Sequence, residues 1–175
     1  MGSEFLPAFN ATLVNEGFPG YAVDNNGAEV CAGINRAYWP GWCGWPIIDA
    51  LRTKGLGRKG INAALKADAR LLPLMQDFYR RNFWVAWMQQ ITAQQVANWA
   101  FDKSVNMGIG QAVKLIQRAA GVADDGRFGP ATLAAVNTVD PVVLVGLCHN
   151  EAVKFYEALH AKDPAKYSAD MVNRA

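Results

Sequence analysis

The chain has 175 residues, 51% of them hydrophobic and 18% charged, with a net charge of +2. That is enough apolar material for one compact globular unit, or two small ones packed together. No run of about 18 apolar residues exists, which excludes a membrane-spanning helix, and so small a charge, without dense basic clusters, argues against a nucleic-acid partner.

Residues 1–5, Met1-Gly2-Ser3-Glu4-Phe5, read as an expression-tag remnant, and no basic stretch followed by an apolar core marks a secretory leader. From Leu6 to Glu16, apolar residues at Phe9, Leu13 and Val14 repeat with a helical period, and Gly17 offers a stop. Residues 18–33 hold no long helical pattern. Asp24-Asn25-Asn26-Gly27 is turn chemistry, so the expectation is a loop or, at most, one short β-hairpin. An aromatic loop follows, with Trp39, Trp42 and Trp45 among prolines and glycines, and leads into a short helix from Pro46 to about Thr53. The basic residues Arg52, Lys54, Arg58 and Lys59 gather around Gly55 and Gly57; they read as a solvated loop, and such a surface also suits an anionic polymer.

A long helical stretch is predicted over Ile61–Met88, kinked before Pro73. Thr92-Ala93-Gln94-Gln95 has the form of a capping box and opens a helix to about Met107. Gly108 and Gly110 break it, and another helix covers Gln111–Ala120. Pro130 begins a short helix, and Asp140-Pro141 caps and opens a last long one to about Ala161. The predicted fold is therefore mainly α. Cys31, Cys43 and Cys148, with His149 and His160, match no zinc or redox spacing, so no metal and no cofactor is expected. An odd thiol count leaves at least one cysteine free, and a Cys31–Cys43 bridge is the pairing open in an oxidising compartment.

Glu16, at the end of a helix, is the leading candidate for chemistry. The negative end of the helix dipole disfavours a carboxylate and raises its pKa, as a proton donor to a glycosidic oxygen requires. Such a reaction needs a second carboxylate, and Asp24 and Glu29 lie in the loop that follows. By pattern alone a Glu beside a helix-ending Gly reads more readily as a solvated surface residue.

The dispersed motifs decide between these readings. Glu16-Gly17-Phe18-Pro19-Gly20-Tyr21 resembles the EGGY segment of the glycoside hydrolase 108 muramidases, found in phage endolysins and interbacterial effectors. Residues 27–34, the tryptophan stretch 39–49 and Phe78–Trp84 are similar to further segments of that family, in the same order. The resemblance implies a lysozyme-like helical fold and hydrolysis of the β-1,4 bond between N-acetylmuramic acid and N-acetylglucosamine. It places Glu16 as the catalytic acid. Asn25 stands where the family has an aspartate, which puts Asp24 or Glu29 forward as the second carboxylate, or a water in their place.

Residues 101–136, including Asp125-Gly126-Arg127-Phe128-Gly129-Pro130-Ala131-Thr132, resemble the family's peptidoglycan-binding region. A catalytic region over 6–95 and a binding region over 96–175, packed on it, are therefore expected. Tyr21, Trp39, Trp42, Asp102 and Asn106 are the candidate substrate contacts: aromatic faces stack on sugar rings, and Asp102 and Asn106 lie one helical turn apart. The bland reading of the tryptophans is core packing. A non-catalytic wall-binding module is the rival function. The expected place of action is the periplasm and cell wall, reached through a secretion system or during phage lysis. The effector setting implies a periplasmic immunity protein that inhibits the enzyme.

Overall fold

The computed structural model describes residues 2–16 and 18–164, with Asn15 and Glu16 as backbone only. Helices dominate: α1 (Phe5–Glu16), α2 (Trp45–Arg52), α3 (Arg58–Ala67), α4 (Leu71–Phe83), α5 (Gln94–Met107), α6 (Ile109–Ala119), α7 (Pro130–Thr138) and α8 (Pro141–Lys162). A 3₁₀ turn covers Met88–Gln90, and three short strands, β1 (Ala22–Val23), β2 (Glu29–Cys31) and β3 (Ile34–Asn35), form an antiparallel sheet in sequence order. The mainly helical, lysozyme-like expectation holds, and the sheet has one strand more than the single hairpin anticipated. No single helix among the described residues is long and apolar enough to cross a membrane.

The chain divides into two compact units. One comprises Phe9–Trp84; the other takes the described residues of Met1–Ala8 and Val85–Ala175. In the first, Phe9, Ile34, Trp45, Ile48, Leu65, Leu71 and Met75 are buried in the core. The strands are too short to persist by their own ladder, and turn chemistry sets their register. Asp24 to Gly27 closes β1–β2: the Gly27 amide donates to the Asp24 carbonyl at 3.0 Å, and Gly27 has φ 80°. Ala32 and Gly33 close β2–β3 with φ of 48° and 79°, the two left-handed positions of a tight hairpin turn. Ala32 is held there by the Tyr79 hydroxyl of α4, which donates to its carbonyl at 2.6 Å.

Two helix expectations need correction. Pro73 does not kink a long helix. The break falls earlier, where Asp68 turns extended (φ −84°, ψ 105°) and its carboxylate accepts from the Arg70 amide at 2.9 Å. Pro73 then lies in the first turn of α4, where a missing N–H removes no helical bond. Nor does Thr92 cap α5. Its amide and hydroxyl both donate to Asn137 Oδ1, while Gln94 Oε1 accepts from the Glu4 amide. Asp140 performs as expected, its Oδ1 accepting from the amides of Val142 and Val143 at the start of α8. All three cysteines are free, Cys31 and Cys148 buried and Cys43 exposed, so the Cys31–Cys43 bridge is absent.

In the second unit α5, α6 and α8 pack against one another around Leu115, Ala152 and Tyr156. The Asp125–Thr132 segment is organised by a side chain that pattern reading passed over. Gln117, 2% exposed on α6, donates through Nε2 to Asp125 Oδ1 (2.8 Å), the Arg127 carbonyl (3.0 Å) and Thr132 Oγ1 (3.1 Å). Its Oε1 accepts from the Gly126 amide at 2.9 Å. Phe128 stacks on Trp87 with ring centroids 4.0 Å apart and planes within 8°. The segment is thus a loop folded onto one buried amide. Gln117→Leu keeps the volume and strands those partners, so it should cost about 2–3 kcal/mol in urea unfolding. A loss under about 0.5 kcal/mol would show that the loop closes without it.

Candidate active site

Glu16 is the last residue of α1, as expected; its side chain lies outside the described residues. Tyr21 follows five residues on and is pinned by Asn62 of α3, whose Oδ1 accepts the Tyr21 amide at 2.8 Å and whose Nδ2 donates to the Tyr21 carbonyl at 2.9 Å. Five residues of chain cannot separate the Tyr21 and Glu16 Cα atoms by more than about 18 Å.

The sheet register sorts the two other candidate carboxylates. Val23 pairs with Glu29, Val30 with Asn35 and Cys31 with Ile34. Side chains alternate between faces along a strand. Glu29 therefore shares a face with Cys31, Ile34 and Arg36, while Asp24 shares the opposite face with Ala22, Val30 and Asn35. The structure does not bring Asp24 and Glu29 together.

Glu29 is enclosed by cations. The Tyr21 hydroxyl donates to its Oε1 at 2.7 Å, Arg52 Nη1 lies 3.1 Å from the same oxygen, and Arg36 Nη1 lies 2.8 Å from Oε2. Arg36 also grips Asp49 of α2 with both terminal nitrogens, at 2.7 and 2.8 Å, and its guanidinium carbon sits 5.1 Å from the centroid of the Trp45 ring. Burial, with Glu29 beside it, pushes the Tyr21 phenol up to about 12, so it remains a donor at neutral pH. The hydrogen bonds from Arg36 hold the Asp49 carboxyl below the usual carboxylate range.

Among the described residues, Asp24 has only neutral hydrogen-bond partners. Its Oδ1 accepts from the amides of Asn26 and Ala28, both at 2.9 Å, and its Oδ2 accepts from Asn35 Nδ2 at 3.0 Å. The Ala28 amide, with those of Asn26 and Asn35, holds this carboxyl below its ordinary value. No cation among the described residues pairs with it.

The tryptophans divide in the same way. Trp45 and Trp42 are buried, edge-to-face at 5.1 Å; their indole N–H groups donate to the carbonyls of Trp39 (2.8 Å) and Leu74 (3.3 Å). Trp42, a candidate sugar contact by sequence, is 7% exposed and borders the cleft at Trp39. Trp39 is 38% exposed and rests edge-on against Phe78 at 5.0 Å. Together with Tyr38, Asp77, Arg81 and Asn82 it lines a cleft of about 310 Å³. In the other unit, Asn106 Nδ2 donates to the Asp102 carbonyl (2.8 Å) and to its carboxylate (3.2 Å), and Lys103 Nζ lies 3.2 Å from that carboxylate. Asp102 and Asn106 are brought together as expected. Arg36 and Asn62 are the organising residues that sequence reading missed, because their partners lie 7 to 41 positions away.

Residues 9–108 match the family described as Glycosyl hydrolase 108, and residues 111–174 match one described as "Predicted Peptidoglycan domain". No curated protein matches the chain. Among solved structures, Brucella abortus SagA is similar at 23% identity with a TM-score of 0.59, over 97% of this chain and 92% of that one, which shows a common fold.

The depressed carboxyls of Asp24 and Asp49 contribute, with those of Asp68, Asp124 and Asp125, to an acid limit. Above the ordinary value of about 3.9, Asp24 and Asp49 are ionised in the folded and unfolded chain alike, and their stabilising contribution is fully present. As pH falls through the lower folded-state values, the unfolded chain gains protons first and that contribution is lost. The thermal midpoint should therefore drop below about pH 4, and Asp49→Asn should drop less steeply than the wild type. Parallel curves for the two proteins would contradict this.

Proposed function

The chain belongs to the glycosyl hydrolase 108 family and is a peptidoglycan hydrolase, an N-acetylmuramidase acting on the cell wall; on that premise we propose that Glu16 is its proton donor and Asp24 the ionised partner of the same reaction. The observation that carries this reading is the pair of environments around Asp24 and Glu29. Cleavage of the β-1,4 bond between N-acetylmuramic acid and N-acetylglucosamine builds positive charge on the muramic ring as the leaving oxygen is protonated. A carboxylate already neutralised by two guanidiniums offers that charge little. One held by neutral donors keeps its full field, as in lysozyme, where the general acid sits in an apolar pocket and its partner in a polar, hydrogen-bonded one.

In this reading Glu29 is a positioning residue that anchors the hairpin to Arg36, Arg52 and Tyr21. Trp39 is the aromatic platform for the glycan, and Tyr21, Asp102 and Asn106 are its further contacts. Residues 6–95 then carry the chemistry and residues 96–175 the grip on the wall. The enzyme works from the periplasmic side, delivered by a secretion system or released in phage lysis. Where sister cells deliver it to one another, a periplasmic immunity protein plugs the groove bounded by Glu16, Tyr21 and the Trp39–Trp45 loop. Directing the chain to the periplasm with and without the neighbouring reading frame tests that partner: protection supports it, and undiminished lysis with every neighbour removes it.

Glu16→Gln keeps the shape and cannot donate the proton, so the release of muropeptides from purified sacculi should fall by about 10²–10⁴-fold with unfolding unchanged. Asp24→Asn retains the oxygen that the Asn26 and Ala28 amides need and removes the charge; kcat should fall at least about tenfold. Glu29→Gln should lose a similar factor but also lower the thermal midpoint, since two arginines lose their counter-charge. Near-normal turnover by folded Glu16→Gln would falsify the assignment, and a silent Asp24→Asn beside an inactive, fully stable Glu29→Gln would move the second role to Glu29.

A further inference from the structure

A second cleft, of about 430 Å³, opens beside Tyr21 and is lined by Tyr21, Val23, Arg52, Leu56, Arg58 and Ile61. Its chemistry differs from that of the aromatic cleft at Trp39. Four cations, Arg52, Lys54, Arg58 and Lys59, fall between positions 52 and 60 without one acidic residue. Arg52 spends one terminal nitrogen on Glu29 and retains further N–H donors. Arg58 opens α3, is exposed, and has no carboxylate within ion-pair distance among the described residues. Between the guanidiniums stand exposed apolar side chains, Val23 at 56% and Leu56 at 39%. Two forked cations set among aliphatic walls fit a ligand that is both anionic and alkyl-bearing, rather than a neutral sugar face.

The substrate carries such a group. In peptidoglycan the lactyl ether of each muramic acid bears a peptide with free carboxylates and aliphatic side chains. That stem leaves the same ring whose bond is cut, and Tyr21, on the wall of this cleft, lies within about 18 Å of Glu16 along the chain. An extended peptide covers about 3.3 Å per residue, so a stem of four or five residues reaches about 13–17 Å, most of that upper limit. We propose that this cleft seats the stem peptide, with Arg58 and the remaining N–H groups of Arg52 pairing to its carboxylate and Val23 and Leu56 taking its alkyl groups. This rests on the muramidase reading of the site and makes the enzyme selective for peptide-bearing glycan.

The test compares intact sacculi with glycan strands from which an amidase has removed the peptides. The wild type should show the lower KM on peptide-bearing strands. Arg58→Gln should raise KM there about five- to tenfold with kcat nearly unchanged, so that the preference collapses. Leu56→Ser should shift KM in the same direction. Lys59→Gln removes the same charge from outside the cleft and should change KM less than about twofold. Equal impairment of Arg58→Gln on both substrates overturns the subsite, and so does a Lys59→Gln effect as large as that of Arg58→Gln, which would mean diffuse attraction to an anionic polymer. A wild type inert on both substrates would remove the muramidase reading, and the subsite with it, whereas an active wild type with an unimpaired Arg58→Gln removes the subsite alone.

Discussion

The guanidinium of Arg36 bridges Glu29 on the sheet and Asp49 on α2 while lying over the Trp45 ring. Strands of two and three residues cannot hold a catalytic loop by their own hydrogen bonds, so the sheet depends on clamps from the helices around it. Arg36 is the strongest of these, because it is bidentate toward Asp49 and its partner Glu29 is largely removed from water. Asn62 on the Tyr21 backbone and Tyr79 on the Ala32 carbonyl complete the set. Removing the central cation would strip Glu29 Oε2 and the Asp49 carboxylate of their donor, with Oε1 still held by Tyr21 and Arg52, and a pair so largely out of water is costly to break from one side.

With the sheet fixed, strand alternation does the sorting. Two acidic residues five positions apart in sequence end on opposite faces and acquire opposite partners: cations for Glu29, neutral amides for Asp24. The same functional group becomes an anchor in one place and a free negative charge in the other. A fold can supply both from one hairpin because the period of a strand is two. The aromatic loop shows the same economy, with Trp42 and Trp45 inside as supports and Trp39 left at the surface.

Much of this was legible in the sequence where a local signal sufficed. The Asp140-Pro141 start of α8, the Pro130 start of α7 and the Gly108 break after α5 each rest on a residue whose backbone preference decides the matter. Local signals failed where a distant group competed. Thr92 would cap α5 but is taken by Asn137, and Pro73 would kink a helix but for Asp68, which ends the preceding one first. Gln117 was passed over because a polar residue reads as exposed, although its four-residue spacing from buried Val113 places it on the inner face of α6. The choice between Asp24 and Glu29 was closed to sequence for a like reason: it depends on strand register and on Arg36 and Arg52, none of which a motif records.

A proton donor and an ionised partner acting together at muramic acid leave a hydrolytic signature in the products. The most direct measurement is mass spectrometry of borohydride-reduced products from fully digested sacculi. The new ends should be reduced muramic acid, each carrying the oxygen of an added water. Reduced glucosamine ends would place the cut on the wrong bond. Anhydro-muramic ends would mean that the ring closes on itself without an attacking water, leaving no hydrolytic role for the carboxylate partner and contradicting the account.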